Sequence, residues 1–134
     1  MGVAVAVNDG LIVPVIHNAD TLSVGEIAKQ RQVLVEKGNE GKLNPQDLSG
    51  GTFTLSNLGM YHIDSFYAVL NTNQSAILAV GSITDRVIPI GGQPSVRPTM
   101  FATLTCDHRA VDGVCGAKFL DELADTIENP SLLL

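Results

Sequence analysis

Every apolar run in this chain is short. The longest, Val3 to Val7, Leu11 to Ile16 and Ala76 to Val80, each end at a turn-forming Asn, His-Asn or Gly. Runs of that length suit strands, and they fall far below the roughly 18–20 apolar residues that a bilayer span requires. Met1 to Val7 and Leu11 to Ile16 flank Asn8-Asp9-Gly10 and read as two strands joined by a tight turn. Thr52 to Ser56, Ser75 to Val80 and Arg86 to Ile90 are further strand candidates, the last closed by Gly91-Gly92. A final strand, Thr99 to Cys106, follows Pro98, a residue suited to a strand's first position.

Helical periodicity is confined to two stretches. Ser23-Val24-Gly25-Glu26 is a capping box, in which a hydroxyl and a carboxylate each satisfy an orphaned backbone N–H. Val24, Ile27, Ala28, Arg31, Leu34 and Val35 then fall on one face, and Gly38 and Gly41 weaken the end. Asn44-Pro45 predicts a single helical turn over 45–48. The second stripe is Val114, Ala117, Leu120, Leu123, Ala124 and Ile127, with Asp112 at its N-cap and Asn129-Pro130 at its end. These elements predict an α/β domain with an antiparallel or mixed sheet and two substantial helices. A chain that opens inside a strand reads as an interior point of a larger fold.

At 134 residues the chain has room for one core and not for two catalytic domains. Eight Lys plus Arg against fourteen Asp plus Glu, with no basic run, exclude the phosphate-neutralising face that a nucleic-acid partner needs. No signal-peptide or myristoylation pattern directs the chain to a membrane. Cys106 and Cys115 are too few and too close for a disulfide framework, and are read as reduced thiols in an intracellular protein.

The segment Cys106-Asp107-His108-Arg109-Ala110-Val111-Asp112-Gly113 stands apart, because a strand there delivers several ionisable groups into a helix. Imidazole changes protonation near neutral pH, so His108 is the candidate general base. The alternative is structural: Asp112 caps the helix, Asp107 and Arg109 pair at the surface, and His108 is merely satisfied. A metal site at Cys106, His108, Asp112 and Cys115 fits no zinc spacing. A serine hydrolase built on Ser56 lacks the G-x-S-x-G elbow. Ser56 suits hydrogen-bond donation better than attack. His17 and His62 read as loop or channel-lining residues.

Asp107 to Gly113 resembles the DHRxxDG signature of the dihydrolipoamide acyltransferases, the core subunits of 2-oxo acid dehydrogenase complexes. Gly51-Thr52-Phe53-Thr54-Leu55-Ser56-Asn57-Leu58-Gly59-Met60 and Gly10-Leu11-Ile12-Val13-Pro14-Val15 are similar to two further motifs of that family, and Asn129-Pro130 with the leucine-rich end to its terminus. The resemblance implies a chloramphenicol-acetyltransferase-like fold, with this chain as the C-terminal part of the catalytic domain. It also implies homotrimers that build larger cages, with sites in channels between subunits. Coenzyme A would enter one end as substrate, and a lipoyl group carried on a separate lipoyl domain would enter the other. Lipoyl domains, 2-oxo acid dehydrogenase and dihydrolipoamide dehydrogenase subunits would be the partners, and no metal is required.

By the same resemblance His108 is the base that takes a thiol proton, Ser56 comes from the adjacent subunit, and Asp112 supports the site. Asn57 and Gly59 line the substrate channel, acetyl is the favoured acyl group, and leucines 132 to 134 are a tail that can dock between subunits. The compartment implied is the cytoplasm of a bacterium, or the mitochondrial matrix or plastid of a eukaryote. The other function carried forward is a non-catalytic structural core of the same complex.

Overall fold

The computed structural model describes residues 1–7 and 10–133. The expected Asn8-Asp9 turn lies outside those residues, as do the side chains behind the expected tail contact at 132–134. Along the chain come β1 (Gly2–Val3), β2 (Val5–Val7), β3 (Gly10–Ile12), α1 (Val24–Asn39), β4 (Phe53–Asn57), β5 (Ala76–Val80), β6 (Thr84–Ile90), β7 (Gln93–Thr99), β8 (Ala102–Cys106) and α2 (Gly113–Glu128). The main sheet is mixed, ordered β1-β4-β5-β8; β4 runs parallel to both β1 and β5, and β8 runs antiparallel to β5. β2–β3 and β6–β7 are separate two-stranded hairpins.

β5 is the centre. Its Ala76, Ile77, Leu78 and Ala79 are all buried, which is why the segment reads as a continuous apolar run with no alternation. α2 packs on one face of the sheet, where the Phe119 ring meets Phe53 at 5.7 Å between centroids and Gly116 lies against Leu104 and Cys106. α1 packs against the β2–β3 hairpin, and its Leu34 is buried.

The caps expected at Ser23 and Asn44 form. Ser23 Oγ accepts from the Glu26 N–H at 3.3 Å while the Glu26 carboxylate accepts from the Ser23 N–H at 2.8 Å. Asn44 and Asp47 repeat the arrangement around a 3₁₀ turn at Pro45–Leu48. Gly38 does not stop α1, because the space left by its missing side chain is taken by Ile12 of β3.

Several expectations are corrected. The run Met1 to Val7 is two strands, because the chain leaves β4 after Ala4 to pair with β3, and Leu11 to Ile16 is strand only as far as Ile12. Pro98 does not open the last strand. It lies inside β7, an element the sequence reading lacks, and β8 starts at Ala102. Counting from the two-residue turn at Gly91-Gly92, whose φ angles are 55° and 79°, the pairs Pro89–Pro94 and Asp85–Pro98 fall at non-hydrogen-bonded slots. Proline's missing N–H costs nothing there. The α2 stripe forms as a helix, but four of its six residues are exposed: Gly116 is buried and Leu120 and Leu123 are half-buried, while Val114, Ala117, Ala124 and Ile127 are exposed.

One buried polar cluster ties the β4–β5 connection to the sheet. The Thr54 hydroxyl, fully buried, donates to Gln74 Oε1 at 2.5 Å and accepts from Asn71 Nδ2 at 3.1 Å. Thr54→Val keeps the shape and strands both amide partners, so it should lower unfolding free energy by about 1–3 kcal/mol in chemical denaturation. An unchanged midpoint and slope would show that the cluster contributes nothing.

Candidate active site

The Asp107–Asp112 junction is fixed at both of its ends by backbone hydrogen bonds. On the strand side, the Asp107 N–H donates to the Ser75 carbonyl at 2.9 Å, extending the β5–β8 ladder by one rung. The Asp107 carbonyl then accepts from Ala110 and Val111, and its carboxylate accepts from the Arg109 N–H at 3.0 Å, which closes a tight Asx turn. On the helix side, Asp112 Oδ1 accepts from the Cys115 N–H at 2.8 Å as the N-cap of α2. His108 projects from the exposed crest between these anchors. Among the described residues nothing hydrogen-bonds its ring.

Arg109 holds Asp107 through Nε and Nη2, the latter at 2.7 Å. Those guanidinium hydrogen bonds, with the Arg109 backbone N–H, push the Asp107 carboxyl from 3.8 down to about 2. Burial, and then the neighbouring Cys115 thiol, push the Cys106 thiol up, which keeps it a protonated packing group against α2. Among the described residues no three His, Cys, Asp or Glu side chains gather as metal ligands.

Ser56 lies near the other end of the sheet, the penultimate residue of β4. The register aligns Ser56 with Ala79 and Thr103, whereas Phe53 aligns with Ala76 and Cys106. Ser56 is therefore three rows and two strands from Cys106, and His108 lies two residues further on. At about 3.3 Å per row and 4.8 Å per strand the two residues are on the order of 15 Å apart, beyond the reach of their side chains. One chain does not bring Ser56 and His108 together.

Asn57 Oδ1 accepts from the Gly59 N–H at 2.8 Å, so Asn57 shapes the turn that leaves β4. A side chain at position 59 would collide with the Gly81 carbonyl. Ser56 and Asn57 line a cavity of about 440 Å³ with Val3 to Ala6, Leu11, Val35, Met60 and Tyr61. Arg31 of α1 also lines it, a placement that sequence reasoning missed although Arg31 interrupts the apolar stripe. His17 lies elsewhere, its Nε2 donating to the Gln46 carbonyl at 3.1 Å, and His62 ends the short turn Gly59–Tyr61.

The family model for the catalytic domain of 2-oxoacid dehydrogenase acyltransferases matches residues 1–134, and the chain belongs to that family. The dihydrolipoyllysine-residue acetyltransferase component of the Rickettsia bellii pyruvate dehydrogenase complex is 44% identical over all of this chain, which spans 32% of that relative. The succinyltransferase component of the Rickettsia felis 2-oxoglutarate dehydrogenase complex is 42% identical, again over all of this chain and 33% of the relative. The chain thus spans about a third of the curated relatives it matches. A crystallographic and enzymatic study of the roles of a serine, a histidine and an asparagine in the mechanism of Azotobacter vinelandii dihydrolipoamide acetyltransferase gave a similar structure. It has a TM-score of 0.94 and 32% identity, covering 98% of this chain and 54% of that one. The fold is that of these acyltransferase cores, the chloramphenicol-acetyltransferase-like arrangement expected from the motifs.

Because the Asp107 carboxyl is depressed, its clasp on Arg109 is complete above about pH 4 and is lost as pH falls through about 2. Carbon-detected NMR of the Asp107 carboxyl should show this midpoint, and Arg109→Ala should return it toward 3.8. Titration of the parent in the ordinary carboxylate range would contradict the clasp.

Proposed function

We propose that this chain is the C-terminal part of an acyltransferase catalytic domain that moves an acyl group, here acetyl, between a dihydrolipoyl thiol and coenzyme A. Its sites are completed by a neighbouring copy in a homotrimer. The observation that carries this reading is the separation of Ser56 and His108 at opposite ends of one sheet, each in an exposed or half-exposed setting. Two further features support it. The serine, histidine and asparagine studied in the Azotobacter enzyme stand at the same separations along the chain as Ser56, His108 and Asp112. Exposed Tyr67, Val69, Val87 and Phe101 leave apolar surface for assembly. Lipoyl domains and the dehydrogenase subunits are the partners such a core would serve.

A thiol is only a few per cent thiolate at pH 7, so attack on a thioester needs a base. His108 accepts the thiol proton as sulfur bonds to the thioester carbonyl carbon, a role typically worth about 10²–10⁴-fold. The carbonyl oxygen becomes an oxyanion, and the neighbouring copy's equivalent of Ser56 donates a hydrogen bond to it. Collapse breaks the original carbon–sulfur bond, and the departing thiolate takes the proton from His108. Donor and acceptor are both thiols, so one base serves both directions. Asp112 does not react; as the N-cap of α2 it fixes the far end of the His108 turn.

His108→Ala should lower transfer from acetyl-CoA to dihydrolipoamide about 10²–10⁴-fold. Ser56→Ala should lower kcat about 10²–10³-fold with little change in KM. Mixing the two inactive chains under conditions of subunit exchange tests the shared site directly. Random mixing pairs an intact histidine with an intact serine at about a quarter of the interfaces, and activity should recover in proportion. No recovery in a verified mixed oligomer would place both groups in one chain and refute the reading.

A further inference from the structure

The cavity beside Ser56 has a physical origin. β1 stays paired with β4 only through Leu55, whose carbonyl accepts from the Ala4 N–H at 2.9 Å. The chain then peels away into the β2–β3 hairpin, leaving Ser56 and Asn57 without a strand on that side. α1 lies over the hairpin, so the split between β2 and β4 becomes a groove roofed by a helix.

The lining is apolar apart from Ser56, Asn57, Tyr61 and Arg31, and Arg31 carries its single charge. Arg31 occupies the apolar stripe of α1, between Ile27 and the Leu34–Val35 pair. Among the described residues no hydrogen bond or ion pair engages its guanidinium, although Arg86 and Arg109 are both held by carboxylates. An arginine facing an apolar groove without a carboxylate offers a planar, permanently charged fork suited to an oxyanion. An acetyl group alone is far smaller than a groove of about 440 Å³.

We propose that Arg31 is a substrate-binding residue that receives an anionic group of the acyl donor lying in the Ser56 groove. This rests on the acyl-transfer reading and extends it by giving the groove a charge preference. Two sources share the chemistry: a phosphate of coenzyme A, or a terminal carboxylate on the acyl chain such as that of a succinyl group.

The test compares the parent chain with Arg31→Ala and Arg31→Lys, using acetyl-CoA, succinyl-CoA and the phosphate-free thioester S-acetylpantetheine. Calorimetric Kd and transfer to dihydrolipoamide are both read. Arg31→Ala should weaken binding of an anionic donor about tenfold or more, the size of one charge-assisted hydrogen bond, and Arg31→Lys should recover part of it. Equal losses for both CoA thioesters, with S-acetylpantetheine unaffected, assign the phosphate. A loss confined to succinyl-CoA assigns the acyl carboxylate. Unchanged Kd for all three donors, or the same loss for all three including S-acetylpantetheine, overturns the proposal. Arg31-dependent binding without turnover in the parent would instead count against acyl transfer and leave the anion site standing.

Discussion

The direction of β8 is the constraint from which the rest follows. β1, β4 and β5 run one way and β8 runs back along β5, so the carboxyl end of β8 emerges beside the amino ends of β4 and β5. In an all-parallel open sheet both strand ends would open on the same crevice, and a single chain would hold the whole site. Here the histidine junction leaves one end of the sheet and the serine turn leaves the other. On the proposed acyl-transfer reading, a unit with half a site at each end would be completed head to tail, and head-to-tail contacts whose rotation closes make rings. On that reading, assembly and chemistry become the same requirement.

Local polar chemistry was legible in the sequence, and sheet membership was not. Ser23 with Glu26, Asn44 and Asp112 all cap where the sequence places them, because a cap is a contact within four residues that tertiary packing seldom overrides. β5 was equally plain as an unbroken apolar run. β7 was hidden, since Gln93-Pro94-Ser95-Val96-Arg97-Pro98 carries two prolines that read as loop. Only the pairing with β6 makes them acceptable, and pairing is a non-local property. The exposure of four of the six α2 stripe residues has a related cause. Periodicity marks which side of a helix is apolar, and the described chain covers only part of that side.

At the site the division is similar. The motifs named His108, Ser56 and Asp112, and the Asp107–Arg109 pair and the Asp112 cap around His108 could be read from the sequence, whereas the Asx turn at Asp107 was not. What no spacing reveals is that three rows and two strands keep Ser56 from His108, since that depends on register and strand direction together. Arg31 was visible as a charge inside an apolar stripe, a pattern that usually means a snorkelling side chain at a helix edge. Its place in the Ser56 groove depends on β2 leaving β4, and the apolar run Val3 to Val7 gives no sign of that split.

The way His108 is held bears on the base role proposed for it. A catalytic imidazole is often oriented by a carboxylate on its second nitrogen, which also makes it more basic. Here the nearby carboxylates are otherwise engaged: Asp107 is clasped by Arg109, and Asp112 caps α2. The ring is instead placed through its backbone, by an Asx turn on one side and a helix N-cap on the other. Such an arrangement fixes position during folding, so little ordering remains to be done when substrate arrives. It also leaves both ring nitrogens without partners among the described residues, as the proposed role of thiol base at a shared site requires. The junction thus supplies placement, and on the proposed reading the orientation of the imidazole would fall to the neighbouring copy.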